Sequence, residues 1–173
     1  MKVEPMFVNG KSLLAAAPIA NMVSEKNRYE GTSFGLSEAG YDIRIKQNVR
    51  FVNDAYGART VVLDPETGEE ETFMGHFVLA SAIERFQTPH NLVGTVKDKS
   101  TWARQGLSVF NTVIEPGWNG FLTLELVYHG FNGLEILPGQ GIAQVLYGLL
   151  ENEGDYGDGK YQNQESGPVG ARA

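Results

Sequence analysis

Lys99-Ser100-Thr101-Trp102-Ala103-Arg104-Gln105-Gly106-Leu107, answered downstream by Thr123-Leu124-Glu125, is the stretch on which the reading of this chain turns. Six positions, Lys99 to Arg104, hold a cation, two hydroxyls and a second cation before the Gly-Leu close. Each hydroxyl can donate one hydrogen bond and Lys and Arg add charge-assisted ones, so the cluster suits an anion with several oxygens. Ser100 to Gln105 can form a short helical turn, whose opening N–H groups are further donors. Glu125 is the acid within the apolar run Leu122-Thr123-Leu124-Glu125-Leu126-Val127. Apolar surroundings raise a carboxylate's pKa, which suits a general base working near neutrality. Taken together, anion cradle and enclosed acid read as a phosphorylated substrate undergoing proton transfer. Taken singly, each has a plain reading. Glu125 fits the solvent face of an amphipathic strand equally well, and Ser100 with Arg104 fits a helix cap with a solvated arginine.

Outward from that stretch the chain reads as strands and turns. Tyr41-Asp42-Ile43-Arg44-Ile45-Lys46 alternates with period two, as a half-buried strand does. Val61-Val62-Leu63 runs into Asp64-Pro65-Glu66-Thr67-Gly68-Glu69, a turn joining two hairpin strands. Phe77 to Phe86, Leu92 to Val96, Phe121 to Tyr128 and Ile142 to Tyr147 are further strands, with Pro138-Gly139 turning into the last. Asn9 to Ala20 predicts a short helix ended by Pro18. Its Gly10-Lys11-Ser12 mimics the end of a phosphate-binding loop, but Pro5 stands where that loop requires glycine, so a helix start is the better reading.

The 173 residues, with 21 glycines and 7 prolines, fit one all-β domain. Residues 1–32 form its helical lead-in, and 151–173 a polar, glycine-rich tail that stays mobile until something orders it. The absence of cysteine excludes disulfides and thiolate metal sites. His76, His90 and His129 lack ligand spacing, and a zinc nucleotide deaminase needs a Pro-Cys-x-x-Cys pair, so no zinc is expected. No apolar run is long enough for a membrane span and no signal-peptide pattern opens the chain, so a cytoplasmic protein is expected. A net charge of −7 argues against binding a nucleic-acid backbone. It leaves room for a small triphosphate, which needs only local cations such as Lys99, Arg104 and Lys160.

The blocks Lys99 to Leu107, Thr112-Val113-Ile114-Glu115-Pro116-Gly117-Trp118-Asn119-Gly120 and Thr123-Leu124-Glu125 resemble the dCTP deaminase branch of the dUTPase superfamily. Gly40-Tyr41-Asp42-Ile43-Arg44, Pro138-Gly139-Gln140-Gly141-Ile142-Ala143-Gln144 and Gly159-Lys160-Tyr161-Gln162-Asn163-Gln164 extend the resemblance in the family's order. It implies a distorted jelly-roll-like β-barrel of the dUTPase type with short helices, assembled as a homotrimer with active sites between subunits. It also implies metal-free deamination of dCTP to dUTP and ammonia, with Mg²⁺ carried on the triphosphate rather than held by protein ligands.

By the same resemblance Glu125 is the general base, Ser100 positions the water and Arg104 orients glutamate and substrate. Lys99, Thr101, Lys160 and Gln164 contact phosphates, with Tyr156 as a further contact. Thr112 and Glu115 are further substrate contacts, the turn from Glu115 lies under the sugar, and Trp118 packs where a 2′-hydroxyl would sit, which selects deoxyribose. Asp98 replaces the glycine common before the cation and must point away from phosphate or reach it through Mg²⁺. Tyr41-Asp42 is expected to be scaffold. Further nucleotides the resemblance allows are dUTP and, as an inhibitor, dTTP. Three activities stay open: deaminase, bifunctional deaminase–diphosphatase or dUTPase, and a silent nucleotide-binding regulator. Ser100, Arg104 and Glu125 together speak against the last. The β-branched Val113, where bifunctional relatives are small, favours dUTP over dUMP as product.

Overall fold

The computed structural model describes residues 6–173, so the first five residues of the expected lead-in lie outside the description. The described chain is almost entirely β. Its largest sheet has seven strands, in the order β11 (Val113–Ile114), β9 (Leu92–Asp98), β14 (Gly141–Leu149), β4 (Tyr41–Arg44), β3 (Thr32–Leu36) and β2 (Lys26–Tyr29). The seventh, β1 (Phe7–Val8), pairs with the end of β14. A second sheet runs β10 (Leu107–Val109), β12 (Asn119–Tyr128), β8 (Phe77–Gln87). The third runs β13 (Leu134–Ile136), β5 (Asn48–Asp54), β6 (Gly57–Leu63), β7 (Glu70–Met74). The sheets face one core without closing into a continuous ladder, which makes the architecture a distorted barrel, as expected.

Alternation decides which side chains reach that core. On β12, Leu124 and Leu126 are fully buried, and on β8 so are Ala80 and Ala82. Tyr41 and Ile43 of β4 meet them beside Val145 and Tyr147 of β14. The helix α1 (Gly10–Ala16) buries Leu13 and stops at Ala17, whose φ of 45° and bond to the Leu13 carbonyl precede Pro18. The hairpin turn after β6 forms as predicted, with the Asp64 carboxylate accepting the N–H groups of Glu66 and Thr67. The strands β2, β3, β5, β10, β11 and β13 were not legible. β10, β11 and β13 are two or three residues long and are defined by pairing with distant strands, whereas β2–β3 and β5–β6 are hairpins closed from Tyr29 to Thr32 and from Asp54 to Gly57.

An ion pair ties two of the sheets together. Arg44 on β4 donates through its backbone N–H and its Nε to Glu84 on β8, at 2.9 and 2.8 Å, with its guanidinium over the Phe34 ring. Burial pushes the Glu84 carboxyl up even though Arg44 pulls the other way. Arg44→Met would leave that buried carboxylate without its cation and should cost about 3 kcal/mol at neutral pH. A carboxyl with a raised folded-state pKa destabilises the fold as pH rises through that pKa, so the deficit should shrink in acid. Denaturant melts at two pH values would check both parts.

Candidate active site

Glu125 stands on the central strand of the three-stranded sheet. The alternation that buries Leu124 and Leu126 turns its side chain the other way, half-exposed, into a cavity of about 520 Å³. Among the described residues no donor engages its carboxylate. Leu79 on β8 is its cross-strand neighbour, and Leu79 and Phe77 supply apolar wall.

The cavity's floor comes from the turn before β12. Glu115, Pro116, Gly117 and Trp118 form a tight turn, with Trp118 N–H bonded to the Glu115 carbonyl at 3.2 Å. Pro fits its second position. Gly117, at φ +76°, fits the third, where a Cβ would also collide with Asp155 and His90. The turn delivers Trp118 into the wall, 6% exposed, with its ring against Phe86. Thr112, Val113 and Glu115 line the same space.

The C-terminal segment closes the far side. The Trp118 indole N–H donates to the Tyr161 carbonyl at 2.7 Å, and Tyr156 N–H donates to the Pro116 carbonyl at 2.8 Å. Gln164 is buried against β12, its amide donating to the Phe121 carbonyl and to Thr123 Oγ1. Glycine is required opposite it, because a Cβ at Gly120 would lie 2.7 Å from the Gln164 nitrogen. Lys160 does not reach the cavity. Its ammonium donates to the Arg172 carbonyl at 2.9 Å, and the Arg172 guanidinium returns a bond to the Lys160 carbonyl at 2.7 Å.

The residues expected to bind an anion gather elsewhere. Lys99, Ser100 and Thr101 line a second, polar cavity of about 310 Å³ with Lys26, Ser33, Asp42, Asp98 and Gln144. The helix α2 (Ser100–Ala103) is pinned by buried Trp102, whose N–H donates to the Gly141 carbonyl at 2.7 Å. Lys99 occupies its N-cap and no side chain caps it, and Ser100 and Thr101 are exposed. Asp42, expected as scaffold, belongs to this cavity. Its carboxylate pairs with the Lys99 ammonium and accepts from Ser33 Oγ and the Gln144 amide. Asp98 turns one oxygen to the Val109 N–H, at 2.8 Å. Arg104 ends α2 exposed and lines neither cavity.

One chain therefore assembles Glu125, Thr112, Glu115, Trp118, Tyr156 and Gln164 around one cavity and Lys99, Ser100 and Thr101 around another. Sequence reasoning did not single out Asn111, Tyr161, Ser33 or Gln144, and it took Asp42 as scaffold without its link to Lys99. Gln144 and Asp42 lay inside quoted motifs, whereas Asn111 sits in a loop with no local signal. His76, His90 and His129 are spread over separate partners, the Val52 carbonyl, the Gly154 carbonyl and Ser108 Oγ. Among the described residues no helix is long and apolar enough to cross a membrane.

Comparison with known proteins gives a consistent result. A dCTP deaminase-like family model matches residues 13–150. A dCTP deaminase of Acidobacterium capsulatum is 34% identical over 158 residues, covering 82% of this chain and 85% of the relative. One from Campylobacter fetus is 37% identical over 157 residues, covering 82% and 83%. Among solved structures, the 2′-deoxycytidine 5′-triphosphate deaminase from Agrobacterium tumefaciens aligns with a TM-score of 0.56 at 12% identity. It covers 88% of this chain and 52% of that longer one, a likeness of fold.

Proposed function

Because the chain belongs to the dCTP deaminase-like family, we propose that it hydrolyses dCTP to dUTP and ammonia with Glu125 as general base. The observation that carries the reading is Glu125 itself, an unengaged carboxylate projecting into a cavity of nucleoside size beside a buried tryptophan. Water attacks carbon 4 of the cytosine. Glu125 takes the water's proton and delivers it to the departing ammonia, so one carboxylate serves as base and then as acid. Ser100 holds the water, and Arg104 orients the carboxylate and the base.

Those two residues lie outside the Glu125 cavity of their own chain, which supports a homotrimer whose sites form between subunits. One subunit supplies the nucleoside cavity and its neighbour supplies α2, with Lys99 and Thr101 on the phosphates. The exposed Phe77, Phe110 and Val113 beside the cavity supply apolar area for such an interface. Mg²⁺ enters with the triphosphate as part of the substrate. Lys99 is already neutralised by Asp42, so the phosphates meet a balanced cradle rather than a bare cation. The C-terminal segment acts as the lid: Gln164 and Tyr156 fasten it, and Lys160 reaches phosphate once it exchanges the Arg172 carbonyl for the anion. A free nucleotide substrate fits a cytoplasmic enzyme.

Incubating the protein with Mg·dCTP and resolving ammonia, dUTP, dUMP and pyrophosphate tests the proposal. Ammonia should match dUTP, because Val113 in the cavity wall limits how water aligns on the α-phosphate. Pyrophosphate keeping pace with ammonia would make the enzyme bifunctional, and no ammonia would refute deamination. Trp118→Ala should lower the dCTP to CTP turnover ratio by about 10-fold, since the lost ring opens space beside the sugar. The truncation should also cost about 3 kcal/mol of stability, so the ratio is to be read where the variant is folded.

A further inference from the structure

We infer that Asn111, a residue in the loop after β10, is a positioning residue for Glu125, its side-chain amide replacing a strand that ends too early. The ladder between β10 and β12 stops at Val109 opposite Leu126. One residue further, Phe110 N–H still reaches the Glu125 carbonyl at 2.9 Å. Then the chain leaves the sheet, and the outer edge of β12 would lose its partner at the residue that carries the base. Asn111 fills the gap. Its Oδ1 accepts the Glu125 backbone N–H at 3.1 Å, and its Nδ2 donates to the Thr123 carbonyl at 2.6 Å. A carboxamide offers the same donor and acceptor as a peptide group, so one side chain spans the two groups a neighbouring strand would bond.

On its opposite edge β12 is paired with β8 in unbroken register from Thr123 to Val127, after one shift between Phe121 and Thr123, so the edge left to be held is the one facing β10. Asn111 therefore fixes the backbone from which Glu125 projects, and it lines the same cavity. A base must meet its water within a few tenths of an ångström, and about 1 Å of misplacement costs roughly 10²-fold. The inference rests on the reading of Glu125 as general base.

Two variants and one control test it, with foldedness followed by thermal melting. Asn111→Ala should lower kcat by at least about 10-fold while KM stays within about threefold, because the strand shifts and the binding walls remain. Asn111→Asp is nearly isosteric and keeps an oxygen for the Glu125 N–H, but adds a carboxylate to the cavity. The titratable groups already lining the cavity are Glu115 in the turn before β12, Tyr156 and Tyr161 in the C-terminal segment, and Glu125 itself. A second negative charge near Glu125 favours its protonated form, so the acid limb of the kcat profile should move up by at least about half a pH unit. Such a shift reports proximity alone, so positioning is read from the plateau kcat of Asn111→Asp, which loses the donor to the Thr123 carbonyl and should also fall by at least about 10-fold.

The inference falls if folded Asn111→Ala keeps kcat within about twofold, or if the Asn111→Asp limb stays where the wild-type limb lies. If Asn111→Ala does not fold, the plateau kcat of Asn111→Asp decides, and a value within about twofold of wild type overturns the inference. Glu125→Gln, assayed alongside, separates the two levels of argument. An inert Glu125→Gln with an unimpaired Asn111→Ala removes only the positioning role, whereas an active Glu125→Gln removes the general-base reading beneath it.

Discussion

Glu125→Gln is expected to lose at least about 10²-fold in kcat while still binding dCTP. The amide keeps the shape of the side chain but cannot take a proton from water. Folding should be unaffected, because the bonds that hold this residue in β12 are made by its backbone, to Phe110 and Asn111. Its carboxylate has no partner to lose among the described residues. The measurement is ammonia release in a single turnover, with dCTP affinity determined separately by equilibrium binding. Glu115, the other acid in the cavity wall, provides the comparison. Glu115→Gln should change KM more than kcat if Glu115 meets the sugar. Turnover above half the wild-type value in Glu125→Gln would show that another group takes the proton.

Co-expressed Glu125→Gln and Ser100→Ala subunits should regain about a quarter of wild-type activity, although each variant alone is expected to be nearly inert. The physical basis is that Glu125 and Ser100 line separate cavities of one chain, with Ser100 exposed on a short helix. If each site combines the nucleoside cavity of one subunit with α2 of the next, random assembly pairs two intact halves in one site out of four. Sites contained within a single chain would give no rescue, since every chain in the mixture carries one defect. The experiment therefore reads out the shared-site arrangement directly, without a structure of the assembly. Activity no greater than the mean of the two parents would refute it.

The parts legible in the sequence were those set by local chemistry. The turn Asp64 to Glu69 needed only its own Asp, Pro and Gly. The turn Glu115 to Trp118 needed Pro and Gly at fixed offsets, and α1 stopped where Pro18 forbids a further turn. Longer strands such as β8, β12 and β14 showed in their apolar patterning. The direction of Glu125 followed from its place between Leu124 and Leu126, although alternation could not say whether it met solvent or a cavity. What covers that face is contributed by Trp118, Gln164 and Tyr161, and no local pattern reports it.

The remaining features depend on partners distant in sequence. Asp42 read as scaffold because an acid beside a buried Tyr is a common strand pair, and the fold adds its contact with Lys99, 57 residues away. Lys160 read as a free cation, but the chain returns twelve residues later and Arg172 engages it. Asn111 carried no signal, since its role arises only where β10 ends beside Glu125. The sequence by itself determined an all-β chain and its turns. These follow from backbone preference and side-chain type, which act over a few residues. Only the tertiary structure decided that the candidate residues are divided between two cavities and which side chains they bond. Those outcomes depend on strand register and long-range contact, which short stretches of sequence do not encode.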